Sequence, residues 1–207
     1  MKEINEYQQD IASIRSIMER SVKFVSLSGL SGVLAGIYAL SGSIAAYFVV
    51  YYPHLPFGFR FYYVSETATI IKLFAIAVTV LGASLLTGYL MSAQKAKKLG
   101  LTVWNNTSRQ LVIDLLIPLA SGGLFIIILA LHGYFVLISS VCLLFYGLAL
   151  INASGRTFKE VKYLGILEIL LGLVSALLPG FGLIFWAIGF GVLHIIYGIL
   201  MHYRYDQ

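Results

Sequence analysis

Six stretches of the chain are apolar for long enough to matter, and short polar segments punctuate them. A helix rises 1.5 Å per residue, so about 20 mostly apolar residues cross the hydrocarbon core of a bilayer. Runs at about 24–50, 68–92, 110–131, 134–152, 163–179 and 181–202 meet or approach that measure. Pro179-Gly180, a turn signal, parts the last two, and "LHGY" at 131–134 parts the third and fourth. The pattern predicts an all-α polytopic membrane protein. Residues 24–203 form its transmembrane domain, six transmembrane helices arranged as three helical hairpins.

Composition supports this reading and orients it. Of 207 residues 59% are hydrophobic and only 11% charged, against about 25% charged in soluble domains. Lys2, Arg15, Arg20 and Lys23 precede the first span, and Lys95, Lys97, Lys98 and Arg109 follow the second. Arg156, Lys159 and Lys162 follow the fourth, and Arg204 the sixth. The opposite side has Arg60, with Lys72 just inside the second span. Cytoplasmic loops carry the excess of Lys and Arg, so both termini are expected in the cytoplasm, with the protein in the inner (plasma) membrane. The sequons at Asn105 and Asn152 then escape glycosylation.

The loop "YYPHLPFGFRFYYVSET" falls outside and reads first as an aromatic interfacial belt, with a lid over an outer cavity as the alternative. A single cysteine, Cys142, excludes an internal disulfide. The first 23 residues lack the apolar region of a cleavable signal peptide. No basic run has the footprint of a nucleic-acid binder.

Within residues 1–23, Ile4, Tyr7, Ile11, Ile14 and Met18 alternate at three and four. This predicts a cytoplasmic amphipathic helix lying on the membrane surface, or a short coiled coil with a cytoplasmic partner. In the first span Ser28, Gly32 and Gly36 share one face, and Ala35, Ala39 and Ser43 a second. Small residues let helices in lipid approach closely, so this helix is expected to be clasped between neighbours. A homo-oligomer contact is the alternative use of such faces. Even-numbered spans also carry a glycine near the cytoplasmic end, at Gly88, Gly147 and Gly198.

Laid on the third span, the fifth puts Glu168 on Asp114, Gly172 on Pro118 and Ser175 on Ser121. The first joins through Ser28, Gly32 and Ala35, which suggests a threefold hairpin repeat. The stretch "YLGILEILLGLVSALLPGFGLIFWAIGFGVLHIIYGIL" resembles the short hairpin repeat of HdeD-like membrane proteins. The likeness is good over 163–200, poorer over 110–152 and poor over 24–92. It implies a six-helix inner-membrane protein with a stress-related or structural role and no enzymatic activity.

Ionisable residues within spans are costly and are functional-site candidates by default. Asp114 and Glu168 enter roughly 6 and 8 Å inside the cytoplasmic boundary, and His194 about 12 Å. Tyr146 and Tyr197 fall between these depths. Asp114, Glu168, His194, Tyr146 and Tyr197 are therefore expected to form a proton-labile cluster that binds a cation, relays protons or gates a cavity. The alternative has the acids reaching interfacial water, or pairing with Arg109 and Lys162. Pro118 has no N–H, so it frees the carbonyl of Asp114 one turn back. The four histidines share no depth, and no catalytic set, metal site or cofactor motif stands out. Two function classes follow: a non-enzymatic HdeD-like protein, or a small proton- or ion-coupled transporter, channel or sensor.

Overall fold

The computed structural model describes residues 28–51 and 67–206. The amphipathic segment 1–23 and nearly all of the aromatic outer loop lie outside the described residues. Every regular element among the described residues is helical. We number the helices α1 (Gly29–Val50), α2 (Thr67–Lys98), α3 (Asn106–Leu131), α4 (Ile138–Ala153), α5 (Lys159–Leu177) and α6 (Gly182–Tyr205). Single 3-10 turns extend α4 to Phe135–Arg156.

Five of the six helices are long and apolar enough to cross a membrane, consistent with a polytopic helical membrane protein. The exception is α5, where Lys159, Glu160, Lys162 and Glu168 dilute a 19-residue helix. The second apolar run continues as helix well past residue 92, to Lys98, because three lysines in its last turn complement the negative end of the helix dipole.

Helices that follow one another in the chain are not always the closest partners. α1 packs on α2, and α3 packs on α4, as hairpins should. α5, however, lies chiefly against α4, and α6 chiefly against α1. Small residues make both seams. An added Cβ on Gly198 would stand 2.4 Å from Val33 N and 2.7 Å from the Gly29 carbonyl, and one on Gly36 would meet the Gly191 carbonyl at 2.6 Å. On the other seam, Gly147 and Gly165 each approach the other's carbonyl just as closely. Backbones this near gain dispersion along their whole length, the main adhesive between helices where lipid is as apolar as leucine. α1 also gives Gly42 to Val80 of α2, so it is held between two neighbours. Gly88, the third cytoplasmic-end glycine of the sequence pattern, faces open space instead.

The basic end of the bundle is tied by the chain's own tail. Asp206 accepts from the backbone N–H of Gly29 at 2.8 Å and from Lys95 Nζ at 2.6 Å. It thereby caps α1, whose Ser28 makes no side-chain cap of its own. Arg204 and Tyr205 donate to Glu160 at the start of α5. At the opposite end the Tyr51 hydroxyl donates to the Gly180 carbonyl in the α5–α6 turn.

Candidate functional site

The middle of α6 departs from α-helical geometry. Ala187–Leu193 is π-helical, between Gly182–Trp186 and His194–Tyr205. Such segments are rare and often mark functional sites. This one faces α4 and α5 with Gly189, where an added Cβ would lie 2.5 Å from both Glu168 Oε2 and Leu143 Cδ2. The missing side chain is the slot that the carboxyl occupies. Glu168 is 0% exposed, and neither of its oxygens has a hydrogen-bond partner.

His194, itself buried, stands beside it. Its Nδ1 lies 3.0 Å from the Gly189 carbonyl and 3.5 Å from Glu168 Oε1. A carbonyl only accepts, so the Gly189 contact puts a proton on Nδ1. Nε2 lies 2.7 Å from the hydroxyl of Tyr146 on α4 and accepts from it when the ring is neutral. Phe190 closes the site, its ring centroid 5.0 Å from that of Tyr146. Carboxyl, imidazole and phenol thus come from three different helices. A carboxylate held there alone would cost several kcal/mol, so Glu168 either keeps a proton or pairs with an imidazolium, and the 3.5 Å approach allows both.

Of the five residues expected to cluster, the structure brings these three together and sets a fourth beside them. Tyr197, a turn beyond His194 on α6, packs with Tyr146 against the same buried Leu150, Val161 and Leu164, its buried hydroxyl without a hydrogen-bond partner. Asp114 stands apart from the trio. The expected pairing with Arg109 or Lys162 gives way to another: Arg156 Nε donates to Asp114 Oδ2 at 2.6 Å. Asn152, one turn before Arg156, donates to the Asp114 carbonyl at 2.6 Å. That carbonyl is the one Pro118 deprives of its helical donor. Asp114 is therefore a latch between α3 and α4, satisfied through both side chain and main chain.

The slot at Gly189 and the Asn152–Arg156 pair were missed by sequence reasoning. The last left a signal, since residues four apart on one helix share a face and could meet Asp114 together. Among the described residues no three His, Cys, Asp or Glu side chains converge as metal ligands would. No protein-family model, curated protein or solved structure matches the chain.

Proposed function

We propose that the chain is a six-span inner-membrane protein, built of three hairpins with both termini in the cytoplasm, that performs no enzymatic reaction. Its work is to take up and release a proton at Glu168–His194–Tyr146, as a small proton-coupled transporter or sensor does. The one-sided distribution of Lys and Arg supports the orientation. One observation carries the chemistry: a fully buried carboxyl, both oxygens unpartnered, 3.5 Å from an imidazole nitrogen on a π-helical turn.

A purely structural residue has no need of that arrangement. An unpartnered buried acid costs stability that an apolar side chain of similar size would not. Infrared difference spectra across a pH titration test the reading. The carbonyl stretch of a protonated carboxyl is expected to rise and fall with pH and to vanish in Glu168→Gln. A spectrum identical in wild type and Glu168→Gln at every pH refutes it.

A second reading, the stress-related or structural role implied by the HdeD-like resemblance, draws on the glycine seams. Those seams make α1, α4, α5 and α6 a closely packed body, with Glu168 and His194 buried inside it. Under that reading Glu168→Leu raises stability and removes nothing else.

A further inference from the structure

Hydrophobic bundles satisfy or exclude their buried polar atoms, and the exceptions call for an explanation. Among the described residues four buried side-chain oxygens have no partner: Ser140 Oγ, both oxygens of Glu168, and the Tyr197 hydroxyl. All four belong to α4, α5 and α6. Contacts between these helices set their order along the bundle axis. Glu160 meets Arg204 and Tyr205 at the basic end. Next, Tyr197 lies against Val161 and Leu164. Glu168 then meets His194, which holds Tyr146.

Beyond them an added Cβ on Gly172 would touch the Ser140 carbonyl at 3.0 Å, which places Ser140 a turn further along α5. Finally the Ser139 and Ser175 hydroxyls stand 3.2 Å apart. From Glu160 to Ser175 this ladder covers about 22 Å of the roughly 30 Å hydrocarbon thickness. Every rung carries a group able to give and accept a proton.

We propose that the α4–α5–α6 interface is a proton path across the membrane, with Glu168 and His194 as its exchange point; this rests on the reversible protonation proposed above. Single buried waters, which settle where polar atoms lack partners, bridge the rungs beside Tyr197 and Ser140. Each transfer balances. Glu168, an uncharged acid at rest, gives its proton to water beside Ser140 while Tyr146 gives its phenolic proton to His194 Nε2 and takes another on its oxygen from the basic side, so that carboxylate and imidazolium pair. The Nε2 proton then passes back through Tyr146 to water beside Tyr197, which delivers one to Glu168. His194 keeps its Nδ1 proton on the Gly189 carbonyl throughout. One proton has crossed, and every group ends in the charge state and tautomer in which it began.

The test uses the full chain in lipid vesicles containing a pH-sensitive dye, with a potassium gradient and valinomycin setting the membrane potential. Wild-type vesicles are expected to acidify faster than empty ones, and Glu168→Gln to fall to the empty-vesicle rate. Tyr197→Phe and Ser140→Ala remove only unpartnered hydroxyls, so they keep the fold and are expected to slow the flux severalfold. Wild-type flux no faster than that of empty vesicles overturns the path, as does unchanged flux in both hydroxyl variants. A titrating carboxyl in the infrared spectrum without flux sinks the path alone; loss of the infrared signal sinks the protonation reading as well.

Discussion

Alanine at Gly198 and alanine at Gly88 are the same change at matching points of two helices, and the structure separates their consequences. A Cβ on Gly198 would lie 2.4 Å from Val33 N, 2.7 Å from the Gly29 carbonyl and 2.9 Å from the Gly32 carbonyl carbon. All three atoms are backbone, so no side chain can turn aside. The two helices must part by about 1 Å to restore ordinary contact, which forfeits roughly half of each atom pair's dispersion well along the seam. Overpacking of this kind costs about 1–3 kcal/mol, and rigid neighbours put it near the upper end. Alanine returns about 1 kcal/mol in helix propensity, so Gly198→Ala should destabilise by about 2 kcal/mol net. At Gly88 nothing lies within 4 Å of the added Cβ, and only the favourable propensity remains. The two variants should differ by about 3 kcal/mol. Titrating the detergent-solubilised protein with a denaturing detergent, followed by the fluorescence of Trp186 on α6, measures this difference. Equal stability of the two variants would refute the seam as the adhesive between α1 and α6.

Two further predictions concern the ends of the bundle. Asn152→Ala leaves the Asp114 carbonyl without a donor and should cost about 1 kcal/mol, while Arg156→Ala, which breaks a partly exposed pair, should cost less than about 1 kcal/mol; detergent unfolding of both variants and of the double variant checks the order and the coupling. The tail clasp should weaken in acid. Burial opposes ionisation of Asp206, but hydrogen bonds from Lys95, His202 and the Gly29 N–H outweigh it and hold its carboxyl below the ordinary value of 3.8. Burial likewise opposes ionisation of Glu160, but its backbone hydrogen bond and its bonds from Arg204 and Tyr205 hold it below 4.5. Carboxyls lowered on folding add stability that is complete above their ordinary values and lost as pH falls through the folded ones. Unfolding midpoints measured from neutral pH to about pH 3 should therefore drop, and Asp206→Asn should flatten that slope while lowering the neutral-pH midpoint.

The helices were legible because lipid demands long apolar runs, and no competing element satisfies the backbone there. The face of Ser28, Gly32 and Gly36 was legible for a similar reason, since four-residue spacing is a local property. Its partner was not, because the chain packs α6 chiefly on α1 and only secondarily on α5, a choice made by seams more than 150 residues apart in sequence. The freed carbonyl of Asp114 could be read from Pro118, but its donor Asn152 could not, since that depends on the register between α3 and α4. Depth counted along straight helices placed Glu168, His194 and Tyr146 at one level, and there they meet. The same count placed Asp114 with them, because depth carries no information about direction around the axis. The clasp at Asp206 left no pattern at all: one aspartate at a chain end looks like any other.

The π-turn explains why α6 can serve two interfaces with different demands. Gly191 and Gly198, seven residues apart, both face α1, while Gly189 faces Glu168 on the other side. In an α-helix, residues five apart point about 140° away from each other, which would carry His194 away from the Gly189 carbonyl. The i→i+5 spacing of a π-turn brings them together, and His194 Nδ1 reaches that carbonyl at 3.0 Å. Gly189→Ala therefore should not behave as Gly198→Ala does. Its Cβ would meet only side-chain ends, Glu168 Oε2 and Leu143 Cδ2, each at 2.5 Å. Those ends can rotate where backbone cannot, so the helices should hold their places while the carboxyl leaves its slot. Near-normal unfolding, together with a shifted or broadened carboxyl band in the infrared titration, is the expected result. If Gly189→Ala instead unfolds as readily as Gly198→Ala with its carboxyl band unmoved, then Gly189 serves packing, and the slot is not what positions Glu168 against His194.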